Sequence, residues 1–212
     1  CKTLVIPLIE QLNEYRKKKL DLNELFPWDL SIDIEGKKAL RSFEKENTFI
    51  EKAIACFNEI DPFFGSCLKT MKELEYLDLF SRKGKAPGGY NYPLNEIGVP
   101  FIFMNAAGSI DDVTTLVHEG GHAIHSFLTR DIPIVPFRSA PMEVSEVASM
   151  AMELISMEHW HHFFPEKAAL RRAKIYQLER VLSVLPWIAQ VDAFQHWLYI
   201  NHTHSAKERK EK

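Results

Sequence analysis

From Ser109 to Arg130 the chain runs without a proline, and Val113, Leu116, Val117 and Ile124 recur at helical spacing. Ser109, with Asp112 three residues on, fits an acidic form of the capping box, so the sequence predicts a helix from there to about Leu128. That helix carries His118 and His122 four residues apart, so both imidazoles leave the same face, with Glu119 next to the first. Gly120 and Gly121 lie between them, and each glycine costs about 1 kcal/mol in a helix interior. Adjacent glycines in that position point to close packing or close approach of a ligand rather than to helix propensity. The fold must therefore bury one stripe of this helix and still let two imidazoles converge.

The surrounding pattern is mainly helical. Residues 2–19 place Leu4, Val5, Leu8, Ile9, Leu12 and Tyr15 on one stripe, and a loop follows from Phe26 to Gly36. Phe49, Ala53, Ile54, Phe57 and Ile60 mark a second amphipathic helix, ended by Asp61-Pro62, and a third is expected over 62–78. Ser81 to Gly89 is a loop of Gly, Pro and Lys. Tyr90–Leu94 and Val99–Met104, rich in aromatic and β-branched residues on either side of a turn, read as a hairpin, the one convincing strand signal. Pro133, Pro136 and Pro141 punctuate a linker, after which helices are expected over 142–161 and 166–204, the second bent at Pro186. The predicted class is mainly α, with a small antiparallel β element before the His-bearing helix. No internal repeat is present.

Composition excludes several functions. With 46% apolar residues the chain is no disordered segment, and a net charge of -3 leaves no electrostatic footprint for nucleic acid or an anionic membrane. No apolar stretch approaches the length of a membrane span. Cys1, Cys56 and Cys67 are an odd count without a CxxC pair, which favours free thiols in a reducing, cytoplasmic setting. The basic runs Lys17–Lys19 and Lys207–Lys212 read as solvated faces.

His118-Glu-Gly-Gly-His122 is the HExxH arrangement of a zinc site, in which Glu119 reaches a metal-activated water as general base without ligating the metal. A catalytic zinc needs three protein ligands and an open position. Leu128 occupies the place where a metzincin has its third histidine, so that class is excluded. The better candidates are Glu143 and Glu146, one turn apart, with twenty-three residues between His122 and Glu146. Both can also be explained as first-turn glutamates favoured by the helix dipole. For Glu143 that is as good as a role in orienting a ligand imidazole; for Glu146 it is weaker, because Val144, Val147, Ala148 and Ala151 imply a buried helix.

HEGGHAIHSF, followed at this distance by EVASMAMEL, resembles the oligoendopeptidase F and thimet oligopeptidase family of zinc metallopeptidases. RKGKAPGGY, VPFIFMNAAG and DDVTTLVHEGGH are similar to that family's approach to its active-site helix. The match runs from about residue 60 to 200 and is strongest over 82–155. It implies one zinc per chain held by His118, His122 and Glu146, with Glu119 as general base. It further implies a zincin-like helical core with a deep channel, short peptides as substrates, and an edge strand within Tyr90–Met104 to which a peptide backbone can add.

Family members are far longer, so residues 1–212 are expected to be a partial catalytic domain with its zinc-binding core at 82–160. The His and Tyr groups that stabilise the oxyanion in the family have no counterpart before residue 212. His125 shares the zinc face and is read as lining it. His196 and Tyr199 are read as packing a helix, and His159, His161 and His162 as solvent-facing without a metal. Two alternatives stand beside the endopeptidase: a zinc carboxypeptidase of the same helical-channel type, and an inactive fragment that binds zinc or peptide.

Overall fold

The computed structural model describes residues 1–212 and divides into two compact units, Ala39–Lys174 and the pairing of Cys1–Lys38 with Ile175–Lys212. Within Ala39–Lys174, helix α2 (Glu46–Ile60) turns Phe49, Ile50, Ala53, Cys56 and Phe57 inward at helical spacing. Asp61 leaves helical geometry and caps α3 (Pro62–Glu73), its carboxylate accepting from the Phe63 N–H at 2.7 Å, with Pro62 in the first helical position.

Helix α3 stops at Glu73, short of the expected residue 78, because Glu75 takes a left-handed φ of 60° and the Tyr76 N–H closes on the Met71 carbonyl. The chain released there forms a strand, β1 (Leu77–Phe80), absent from the sequence reading. The expected hairpin is present as β2 (Tyr90–Tyr92) and β3 (Phe101–Ala106), with Asn91 opposite Ile102. Because β1 pairs parallel to β3, the sheet is mixed, in the order β1-β3-β2. Strand β3 alternates strictly, with Ile102, Met104 and Ala106 facing the core.

The loop between β1 and β2 is stitched to the sheet. The Lys85 side chain is 1% exposed, and its ammonium donates to the Asp78 and Phe80 carbonyls and to Asp78 Oδ1. Arg82, hydrogen-bonded to Asp78, together with Lys85 holds the Asp78 carboxyl down to about 2. From β3, Asn105 donates to the carbonyls of Ala86 and Gly88, each at 2.9 Å.

Helix α4 (Ile110–Thr129) and helix α5 (Met142–Ile155) complete this unit, with a 3-10 helix, Ser156–His162, and the start of α6 (Lys167–Ile200). Phe49, Phe57, Leu68, Met71, Ile102, Leu116, Val117 and Trp160 are fully buried together. Cys56 and Cys67 are free and buried, and burial pushes their thiols up to about 12 and about 11.

The other unit contains α1 (Val5–Lys19), the rest of α6 with Pro186 inside the helix, and α7 (Ala206–Glu211). Arg16 of α1 pairs with Glu179 of α6. The predicted stripe of α1 buries no residue fully, and Leu4, Leu8 and Tyr15 are exposed. No helix in the chain is long and apolar enough to cross a membrane.

Candidate metal centre

The junction between β3 and α4 sets the rotation of the His-bearing helix. Asp112 Oδ2 accepts from the backbone N–H groups of Ala107, Gly108 and Ser109 at 2.9, 2.6 and 2.7 Å, and Ser109 Oγ accepts from the Asp112 N–H. This is the capping box read from the sequence, extended by two residues into the turn. With that end fixed, His118 and His122 project from one face, their ring centroids 5.0 Å apart and nearly perpendicular.

Helix α5 reaches this face because α4 has no side chains in the way. A Cβ on Gly121 would lie 2.8 Å from Ser149 Cα and 2.9 Å from the Ala148 carbonyl oxygen, and one on Gly120 would lie 2.6 Å from the Phe57 ring. The two glycines thus serve helix packing, on α5 and on the core respectively. Glu146, one turn before Ser149, places Oε2 3.4 Å from His118 Nε2 and Oε1 3.6 Å from His122 Nε2. One donor atom from each of the three side chains lies within 4.8 Å of the others. These separations are long for hydrogen bonds. They match the roughly 3.3 Å between neighbouring ligand atoms of a tetrahedral zinc with bonds of about 2.0–2.1 Å. The donor set and its spacing therefore fit zinc.

Two further side chains orient this triad. Ser149, buried, sets its hydroxyl 3.1 Å from Glu146 Oε2. Glu153, two turns beyond Glu146 on α5 and also buried, sets Oε1 2.7 Å from His118 Nδ1. A carboxylate accepts, so Nδ1 carries the proton and Nε2 presents its lone pair toward Glu146. Glu143, considered for this orienting role from the sequence, is exposed at the start of α5. The seven-residue interval from Glu146 to Glu153 was the signal that identifies Glu153, since it returns a helix to the same face.

Glu119 is buried beside the histidines, and its carboxylate accepts a hydrogen bond from the Asn91 backbone on β2. Burial pushes its pKa up, assisted by the Glu146 charge and opposed by His118 and Asn91. Burial also lowers the pKa of His122, with the His118 charge adding to it, which favours a free lone pair. At His118 burial opposes protonation, but the Glu153 hydrogen bond and the nearby carboxylates outweigh it and raise the pKa.

A cleft of about 200 Å³ opens next to the triad, lined in part by Asn91, Pro93, His122, His125, Arg138 and Ser145. His125 thus stands in the cleft wall and outside the triad. His196 and Tyr199 belong to the other unit and are both exposed rather than packed. His159, His161 and His162, expected to face solvent, are gathered around Glu59 at the end of α2.

A mainly helical fold built around an HExxH helix and a returning glutamate defines a metallopeptidase-like class, and the chain belongs to peptidase family M3, whose profile matches residues 2–212. Among similar proteins is the oligopeptidase PepF of Bacillus subtilis (strain 168), 31% identical over 158 residues, covering 73% of this chain and 22% of PepF. The chromosomal oligoendopeptidase F of Lactococcus lactis subsp. cremoris is 27% identical over 153 residues, covering 72% of this chain and 25% of that protein. A solved structure of PZ peptidase A with an inhibitor superposes with a TM-score of 0.89 at 30% identity, over 98% of this chain and 36% of that one. The chain thus spans about a quarter of the length of the curated relatives it matches.

Proposed function

We propose that this chain carries the zinc-binding part of a metalloendopeptidase that hydrolyses short peptides, with His118, His122 and Glu146 as ligands of one zinc and Glu119 as general base. The observation that carries this reading is the pair of 3.4 and 3.6 Å separations joining Glu146 to the two imidazoles, with a buried carboxyl on the adjacent residue. Bound there, zinc supplies a Lewis acid that acidifies water and polarises a peptide carbonyl.

The chain's own residues do the rest. Glu119, its proton affinity raised by burial, takes a proton from water at its carboxylate and delivers it to the departing amine. Glu153 keeps the His118 Nε2 lone pair directed at the site. Strand β2 is an edge of the sheet and contacts the site through Asn91, so a peptide adding to it would pass the catalytic carboxyl in extended form. Main-chain pairing of that kind tolerates many sequences, which suits oligopeptides as substrates. The free, buried Cys56 and Cys67 support a cytoplasmic setting.

The test is metal analysis combined with hydrolysis of a quenched fluorescent peptide blocked at both ends. Zinc-dependent cleavage at an internal bond is expected. Cleavage restricted to peptides with a free C-terminus would replace this reading with a carboxypeptidase, and zinc binding without any cleavage would replace it with an inert binding module. Two substitutions probe the ligand set. Glu146→Ala should weaken zinc binding most, and unchanged affinity would move the third ligand elsewhere. Glu153→Gln should weaken zinc about 10- to 100-fold while leaving all three ligands in place, as read by competition with a chromogenic chelator.

A further inference from the structure

We propose a second transition-metal site, formed by Glu59, His161 and His162 with support from His159, that takes an ion of the Zn²⁺ and Co²⁺ class. It shares no residue with the centre on α4 and α5. His162 Nε2 lies 3.0 Å from Glu59 Oε1, and His161 Nε2 lies 3.5 Å from Glu59 Oε2. One donor atom from each of the three falls within 4.8 Å of the others. Two imidazole nitrogens and a carboxylate oxygen suit zinc or cobalt, whereas magnesium and calcium prefer oxygen alone.

Pairing of Glu59 with its histidines accounts for only part of the arrangement. His162 Nε2 is shielded from solvent and faces Glu59 Oε1 at 3.0 Å. The His161 and His162 rings are 4.3 Å apart and tilted by 35°. Two protonated rings at that distance repel each other, so both are not charged together, and three imidazoles crowd a single carboxylate. A shared cation would engage both Nε2 atoms and the carboxylate at once. His159 steadies the same carboxylate, its Nδ1 2.9 Å from Oε2, the oxygen that faces His161.

The donors are also held in advance of any ion. The histidines lie on the 3-10 helix Ser156–His162, which is anchored by Met157, Trp160 and the following Phe163, all buried. The Trp160 indole N–H donates to Ser156 Oγ at 3.0 Å, and Cys56 Sγ reaches the Ser156 carbonyl from α2. Glu59 stands on the last turn of α2, just after the buried Cys56 and Phe57. Both halves of the site thus rest on the core, and only their polar ends are exposed.

The experiment is a titration of the metal-free protein with Zn²⁺ by calorimetry, repeated with Co²⁺ and followed by its visible absorption. His161→Ala/His162→Ala should lose one equivalent of metal relative to the unsubstituted protein. Glu59→Gln, at an exposed position, should lose the same equivalent without disturbing the core. His118→Ala/His122→Ala should retain that equivalent, so the count stays readable whatever the first centre does. An unchanged stoichiometry in both the His161/His162 and the Glu59 variants, with the fold intact by circular dichroism, overturns the proposal.

Discussion

Glu119→Gln is expected to keep zinc and to lose turnover by about 10²- to 10⁴-fold, the usual contribution of a positioned general base. Glutamine retains the length of the side chain and an oxygen that can accept from the Asn91 backbone, so β2 and α4 keep their contact. What disappears is the carboxylate proposed to take the proton. The same change should leave the protein as stable or more so. The carboxyl is buried and its pKa is raised, so the folded state binds this proton more tightly than the unfolded state does. Its ionised form therefore works against folding as pH rises through the unfolded value, and a neutral amide removes that penalty. Turnover and melting temperature should move in opposite directions, which a loss of activity through misfolding would not produce. Near-normal cleavage by the variant would remove Glu119 from the mechanism.

Gly121→Ala is expected to damage both stability and metal binding. Alanine is the better helix former by about 1 kcal/mol, so local propensity alone predicts a gain. Packing decides the other way. The added Cβ would meet Ser149 Cα at 2.8 Å and the Ala148 carbonyl oxygen at 2.9 Å, and neither backbone atom can yield unless α5 moves as a whole. Overpacking of this kind costs about 1–3 kcal/mol. Glu146 and Glu153 travel with α5, so the shift also opens the separations from His118 and His122. Gly120→Ala supplies the control, since its Cβ would press on the Phe57 ring in the core rather than on α5. Both variants should melt earlier, but Gly121→Ala should lose much more zinc affinity. Equal zinc affinity in the two would show that the spacing of α4 and α5 does not control the centre.

The parts of this site that were legible in the sequence depend on short spacings along one helix. His118, Glu119 and His122 sit within five residues, and the Ser109–Asp112 cap lies one helix end away. Glu146 was reachable because a helix, a proline-rich linker and a second helix form a simple antiparallel return. Glu153 was missed because its value lies in a contact across two helices, with His118. Strand β1 was missed for a different reason. It spans four residues and is released by a left-handed Glu75, where no glycine marks the turn. The stripe on α1 is real as a pattern, yet periodicity states only that a face is apolar and not what covers it. The cluster around Glu59 was the least legible, since Glu59 stands about a hundred positions before its three histidines and meets them only through tertiary packing.

The buried state of Cys56 and Cys67 has a practical consequence for all of these measurements. A thiol held protonated in an apolar setting is a poor nucleophile, so alkylating reagents and mild oxidants will pass both by. The exposed Cys1 is then the one position open to a maleimide dye or a spin label. Once Cys1 is alkylated, metal titrations can also be run without thiol reductants, which are themselves zinc ligands and would otherwise compete with the sites being counted.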